Sequence, residues 1–203
     1  MSVDATSQEV CSTRDAAALL GVSLRTVQLW VESGVLDAWK TPGGHRRVSM
    51  KSIQEVVTSR QFDHGHQPPP DNAIAVLIVE DDRMLRRLYE LVMQKWHIKI
   101  NIITVEDGFE ALVEIGKKKP DIIITDINMQ GMDGITLLRK LRENPRYDDV
   151  EIIVVTGLDA AKLDEMGGVP EGISVFIKPA PFALIQSCIQ NLANKKLQQR
   201  HAQ

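Results

Sequence analysis

Four short stretches, spread over about one hundred residues, constrain the fold more than anything else in the chain. They are VLIVEDD at 76–82, IIITDINMQGMDG at 122–134, IIVVTG at 152–157 and VFIKP at 175–179. Each is an apolar run of strand length that closes on a polar group. The closing groups are Glu80 and Asp81, then Asp126, then Thr156, then Lys178. Continuous apolar runs of this kind suit strands buried on both faces of a parallel sheet. In an open parallel sheet, ligands bind at the carboxyl ends of the strands. Strands of one such sheet would therefore bring all the closing groups to a single rim.

Those residue types suit a divalent cation and a phosphoryl group. Carboxylates crowded together raise one another's pKa values. A hard cation such as Mg²⁺ relieves the repulsion, taking carboxylate oxygens while keeping several waters. A carboxylate can also serve as the nucleophile that accepts a phosphoryl group. The transferring group spreads its charge over its oxygens, so positioned cations and donors do most of the work. Asp126, at the end of the apolar run DIIIT, is the expected nucleophile. Asp81, helped by Glu80, is expected to hold the metal. Lys178 is expected to pair with the phosphoryl oxygens, and Thr156 to donate its hydroxyl to one.

Residues 74–194 resemble a response-regulator receiver domain, the phosphoacceptor half of two-component signalling. The resemblance implies that Asp126 is the phosphorylated residue. It implies Glu80 and Asp81 as the acidic pair, with Asp81, Asp126 and the backbone carbonyl of Asn128 around Mg²⁺. Thr156 becomes the switch hydroxyl. Lys178 is followed by Pro179 through a peptide bond that is often cis in this family. The chain departs from the pattern in places. Gln130 stands where the family usually has proline. Val175 stands where it usually has an aromatic residue, with Phe176 next to it. Side chains alternate along a strand, so Phe176 should face the opposite side of the sheet. Leu158, two residues past Thr156, has no polar group with which to orient a water.

The expected strands lie near 75–79, 100–105, 121–125, 151–155 and 173–177. Helical stretches near 83–95, 107–118, 134–143, 159–165 and 181–194 alternate with them. This alternation predicts a doubly wound, flavodoxin-like α/β fold with a five-stranded parallel sheet. Leu85, Leu88, Leu91 and Val92 recur at helical spacing and are expected in the core. The Gly- and Pro-rich segment after Thr156 predicts a short, weak helix.

Composition adds limits. The 203 residues suit one or two domains, and 43% hydrophobic content suits a real core. The net charge is −3. Residues 1–60 hold seven basic against six acidic residues, and residues 71–203 seventeen against twenty. Neither balance argues for nucleic-acid binding by charge alone. Cys11 and Cys188 have no metal-type spacing, and free thiols fit a reducing cytoplasm. The polar opening MSVDATSQEV lacks a signal-peptide pattern, and no apolar run approaches membrane-spanning length. QFDHGHQPPPDN at 61–72 reads as a semi-rigid linker, with His64 and His66 as loop histidines. It separates an expected amino-terminal domain at 8–60 from a receiver at 73–195, with a frayed polar tail at 196–203.

The amino-terminal stretch carries a second pattern. Thr13 can cap a helix through Leu20, with Ala16, Ala17, Leu19 and Leu20 as its apolar face. Gly21 suits the following turn, and Ser23 can cap a second helix from Leu24 to about Glu32. Val27 and Trp30 should pack inward. Arg25, Thr26 and Gln28 can point outward. Such a helix-turn-helix places its second helix in the major groove. Gly43-Gly44 between extended runs signals a hairpin whose tip presents His45, Arg46 and Arg47 to phosphates. Trp39 is expected in the core of that hairpin, with a DNA contact as the alternative. Residues 10–57 resemble the excisionase-like, MerR-type winged-helix DNA-binding family. The resemblance implies that Arg25, Thr26 and Gln28 read DNA, while Lys40, His45, Arg46 and Arg47 hold its backbone.

Together these readings predict a cytoplasmic response regulator with its DNA reader first and its receiver second. A histidine kinase or phosphotransfer protein is the expected phosphate donor, and double-stranded DNA the expected target. A homodimer or higher oligomer is the expected DNA-bound form, because one small module makes few phosphate contacts. No enzymatic activity is expected beyond the domain's own phosphoryl transfer and dephosphorylation. Two other readings stand beside it. One is a phosphorelay or signalling adaptor whose receiver docks partner proteins. The other is an architectural DNA-binding protein whose receiver serves as a dimerisation scaffold.

Overall fold

The computed structural model describes residues 10–59, 73–130 and 132–201. The expectations placed on 1–9 and on 61–72, including His64 and His66, lie outside the described residues. The chain divides into two compact units, residues 1–67 and 68–203.

In the first unit, β1 (Val10–Ser12), α1 (Thr13–Leu20), α2 (Leu24–Glu32), β2 (Ala38–Lys40), β3 (Arg46–Ser49) and α3 (Met50–Ser59) follow in order. Ser12, not Thr13, caps α1. Its hydroxyl accepts from the Asp15 amide while Asp15 reaches back to the Ser12 amide, a reciprocal capping box. Gly21 closes the helix at φ +65, in the left-handed region where a side chain would be strained. Ser23 caps α2 by accepting from the Thr26 amide. Ala16, Leu20, Val27 and Trp30 are buried as expected, with Val48, Ile53 and Val56 from β3 and α3. Leu19 is 54% exposed, so the apolar face of α1 is narrower than its spacing suggests. The three strands form an antiparallel sheet in the order β1-β3-β2.

In the second unit, β4 (Ile74–Val79), α4 (Arg83–Gln94), β5 (Ile100–Val105), α5 (Gly108–Lys117) and β6 (Ile122–Thr125) come first. Then follow α6 (Gly134–Arg142), β7 (Glu151–Thr156), α7 (Ala160–Glu165), β8 (Ser174–Ile177) and α8 (Phe182–His201). The sheet is fully parallel in the order β5-β4-β6-β7-β8. Its strands alternate in burial direction. Ile123 and Val154 pack with residues of α5, α6 and α7, whereas Ile122, Ile124, Ile153 and Val155 pack with Tyr89, Met93, Ile185 and Ile189 of α4 and α8. This is the doubly wound, three-layer arrangement that strand–helix alternation predicts. Leu88, Leu91 and Val92 are buried, and Leu85 is half-buried.

The tail differs from expectation. Helix α8 runs on through His201, and Lys196 forms an ion pair with Asp121. Asp121 also accepts from the Ala75 amide, so the far end of α8 is tied to the base of the sheet.

One glycine fixes the approach of α6 to the sheet. A Cβ on Gly134 would stand 2.3 Å from the Asp126 carbonyl oxygen and 2.7 Å from the Ile127 Cα. The Gly134 amide instead donates to the Ile127 carbonyl at 2.9 Å. Both obstacles are backbone, so no side chain can yield. Gly134→Ala is expected to destabilise the receiver by about 3 kcal/mol, the upper end of overpacking costs, read from the urea midpoint.

Candidate functional site at the carboxyl rim of the sheet

The strand order reverses at β4, which has β5 on one side and β6 on the other. Open α/β sheets bind ligands at such a switch point. Glu80 and Asp126 each sit one residue past a strand end. The Glu80 amide donates to Val105 and the Asp126 amide to Val79, at 3.2 and 3.0 Å. The Lys178 amide likewise donates to the Thr156 carbonyl at 2.7 Å. The ladders thus carry three of the expected groups to one place.

The Lys178 ammonium joins two of them. Its Nζ donates to Asp126 Oδ2 at 2.7 Å and to the Glu80 Oε2 and Oε1 atoms at 2.8 and 3.1 Å. Asp126 Oδ1 accepts from the Ile127 and Asn128 amides at 2.6 and 3.2 Å. Glu80 and Asp126 are only 2% and 6% exposed. Asp81 and Asn128 lie exposed at the rim, where Asp81 Oδ2 accepts from the Gln130 amide at 3.4 Å. Thr156 is fully buried, and its hydroxyl oxygen accepts from the Leu158 amide at 3.3 Å. The Lys178–Pro179 peptide bond is cis. Val175 is exposed while Phe176 packs on the opposite face of the sheet, beside the edge-to-face pair of Tyr89 and Phe182.

Burial pushes the Glu80 carboxyl above its ordinary value, against the opposing pull of Lys178. Burial alone would depress the Lys178 ammonium, but its bonds to Asp126 and Glu80 outweigh that and raise it. A carboxyl raised in the folded state stabilises the fold fully below its unfolded pKa, and the contribution is lost as pH rises through the folded value. Glu80→Gln is therefore expected to remove stability that the wild type gains on acidification from neutrality towards 4.5, the ordinary value for glutamate. Urea midpoints across that window check it.

Among the described residues, no three acids, histidines or cysteines stand together as a ready-made metal group. The donor set nevertheless fits a hydrated hard cation. Such an ion uses one or two carboxylates and keeps several waters. The exposed Asp81 carboxylate, the Asp126 carboxylate and the Asn128 carbonyl are oxygen donors of that kind. Glu80 differs from its expected place, because both of its oxygens face Lys178.

In the first unit, Arg25 and Gln28 are exposed on α2. Thr26 is half-buried, with its hydroxyl bonded to Ser23 Oγ at 2.8 Å. The hairpin between β2 and β3 turns through Thr41–Gly44, with Gly44 at φ +80 and His45 exposed beside it. Its register pairs Lys40 with Arg46 and Trp39 with Arg47. Directly paired residues share a face and neighbours alternate. Arg46 and Lys40 therefore share the face of the buried Val48, and Arg47 shares the opposite face with Trp39. Trp39 is 42% exposed, not core: the inner face of this short sheet is already filled by Val48 against the helices.

Arg46 reaches Glu32, the last residue of α2, at 3.7 Å. Both partners are partly exposed, and such pairs are worth less than about 1 kcal/mol. Glu32 would compete for this cation with any phosphate that Arg46 met. If the module binds DNA, Glu32→Gln is expected to tighten it about two- to five-fold by fluorescence anisotropy, the span such a weak pair allows.

A doubly wound sheet with two buried carboxylates held on one ammonium at its carboxyl rim defines a receiver-type domain, here joined to a helix-turn-helix module. The family model described as response regulator receiver domain matches residues 76–189, more than half of the chain, and one described as helix-turn-helix domain matches residues 10–61. The chain belongs to the response-regulator receiver family. Among curated relatives, Response regulator PleD of Caulobacter vibrioides is 32% identical over 123 residues, covering 60% of this chain and 26% of its own length. Response regulator MprA of Mycobacterium ulcerans is 33% identical over 115 residues, covering 55% of this chain and 46% of its own length. The chain thus spans less than half the length of these relatives. Among solved structures, the signal receiver domain of a signal transduction histidine kinase from Syntrophus aciditrophicus aligns with TM-score 0.54 and 25% identity, over 61% of this chain and 92% of that one. The receiver domain of Francisella response regulator 1452 aligns with TM-score 0.51 and 24% identity, over 61% and 98% of the two chains, and shows the fold alone.

Two residues that matter at the rim escaped the sequence reading. Gly134 admits the start of α6 against the Asp126 backbone. Arg86, buried on α4, bonds the carbonyls of both members of the acidic pair.

Proposed function

We propose that this protein is a phosphorylation-controlled DNA-binding response regulator that accepts a phosphoryl group on Asp126. The observation that carries the reading is the Lys178 ammonium held between Asp126 and Glu80 at the switch point of the sheet. A carboxylate oxygen of Asp126 attacks the phosphorus of a phosphohistidine on a histidine kinase or phosphotransfer protein, and the imidazole leaves. Lys178 stays within reach of the new phosphoryl oxygens, and the Thr156 hydroxyl turns from the Leu158 amide towards them. Asp81, Asp126 and the Asn128 carbonyl would hold Mg²⁺, which would supply charge neutralisation during transfer. Glu80 acts through Lys178, holding the ammonium over Asp126.

The output is DNA binding. Arg25, Thr26 and Gln28 face the major groove from α2, with the Thr26 hydroxyl released from Ser23. Lys40 and Arg46 hold phosphates on one side of the hairpin and Arg47 on the other, with His45 at its tip. Phosphorylation shifts the receiver between two states and so changes self-association or exposure of the DNA reader. Among the described residues no helix is long and apolar enough to cross a membrane; with two free thiols, this supports a cytoplasmic place for the chain.

The test is DNA binding by an Arg46→Ala, Arg47→Ala double variant. A loss of affinity with a shallower dependence on salt supports the transcriptional reading. Wild-type protein that selects no DNA sequence would favour a signalling adaptor. Val175 in place of the usual aromatic is the observation that keeps that second reading open.

A further inference from the structure

A second buried cation, Arg86, lies beside the site. It lies on the first turns of α4 and is 8% exposed. Its Nη1 donates to the carbonyl oxygens of Glu80 and, at 3.0 Å, of Asp81. Its Nη2 donates to Glu106 Oε1, just past the end of β5. Helical side chains point back towards the helix amino terminus, so this guanidinium can fold over the loop that precedes its own helix.

The loop is closed from both ends. Asp82 caps α4 by accepting from the Met84 and Leu85 amides, and the Arg86 amide donates to the Asp82 carbonyl. Residues 80–86 therefore form a ring of strand end, cap, helical turn and guanidinium. The peptide that carries the Glu80 and Asp81 side chains is a member of that ring. Glu106 anchors the far side of the planar fork, a geometry that a flexible ammonium does not reproduce.

We propose that Arg86 is a positioning residue for the cation site: by holding the Glu80 and Asp81 carbonyls against Glu106, it sets the direction in which Asp81 presents its carboxylate to Mg²⁺. The proposal rests on the reading of this rim as a Mg²⁺-dependent phosphoacceptor site. Outer partners of ligating groups typically change metal affinity 10- to 100-fold when removed. Arg86→Met leaves two carbonyls without their donor and frees Asp81 to turn. Arg86→Lys keeps the charge and can reach one carbonyl. Glu106→Ala removes only the anchor, and its side chain is 68% exposed, so the fold is retained.

The experiment is calorimetric titration of the full chain with magnesium chloride, alongside thermal unfolding in the absence of metal. Asp81→Asn is the control for the site itself. Wild-type binding that Asp81→Asn abolishes, Arg86→Met weakens at least about tenfold, Arg86→Lys partly restores and Glu106→Ala weakens a few-fold is the expected pattern. A Glu106→Ala or folded Arg86→Met protein with wild-type Mg²⁺ affinity overturns the proposal, whatever its melting temperature, because Arg86 would then only support the fold. Wild-type protein that binds no Mg²⁺, or binding indifferent to Asp81→Asn, overturns the reading of the rim and the role of Arg86 with it.

Discussion

Asp126→Asn is expected to reduce phosphoryl incorporation from an acyl phosphate donor to background, while the protein stays folded. The carboxamide keeps the size of the side chain and can still bond Lys178 through its oxygen. It lacks the anionic nucleophile on which the transfer depends. No other carboxylate can take its place at the same angle. Glu80 is buried and has both oxygens on the ammonium. Asp81 lies exposed at the rim. Radiolabel or intact-mass measurement after reaction in Mg²⁺ reads the result directly. Stoichiometric incorporation in the variant would move the acceptor elsewhere.

The second large effect is expected at Lys178. The side chains of Glu80 and Asp126 are 3% and 7% exposed and share this one ammonium. Removing one partner of a buried ion pair typically costs 3–5 kcal/mol, because the other charge is left uncompensated. Lys178→Met strands two carboxylates, so a loss of about 3 kcal/mol or more at neutral pH is expected. The loss should shrink on acidification. Without the ammonium, burial and the neighbouring Asp126 carboxylate hold the Glu80 carboxyl higher still, so its protonation relieves the variant at a pH where the unfolded chain remains ionised. Stability lost at neutrality is then regained as pH falls towards the ordinary glutamate value. Urea unfolding at pH 7 and at about pH 5 separates the two limbs. A constant loss across the range would mean that Lys178 packs more than it neutralises.

Much of this site is legible in the sequence. Apolar runs such as IIIT at 122–125 can be satisfied only between two covered faces, and their polar ends then fall on the same rim. The strand boundaries agree with expectation within a residue or so for that reason. What escaped depends on contacts between distant parts of the chain. Arg86 stands in the pair Arg86-Arg87, which reads as a solvated helix face. Its burial follows from carbonyls five and six residues earlier and from Glu106, twenty residues on. Gly134 reads as the first residue of an ordinary helix, and only the approach of α6 to the β6 end shows why a Cβ is excluded.

The same limit explains the misplaced elements. The tail looked frayed because it is polar, but no glycine or proline stops α8, and Lys196 finds Asp121 seventy-five residues away. Two places were open to Trp39 in the sequence, the core of the hairpin or a DNA-facing surface. The ladder register decides its face, and register cannot be read from a three-residue strand. β1 is equally short, and its pairing with β3 escaped notice. Arg46 and Arg47 look equivalent as neighbours in sequence, yet alternation sends them to opposite faces of the hairpin.

In the proposed function, the state of Asp126 controls the DNA reader. The most direct measurement selects duplexes from a random pool with the purified chain, with and without beryllofluoride and Mg²⁺, using Asp126→Asn as control. Enrichment of a sequence motif whose affinity changes with beryllofluoride in the wild type and not in Asp126→Asn is the expected result. Specific DNA binding that is identical with and without beryllofluoride would contradict it and leave the receiver as a scaffold or a dock for other proteins.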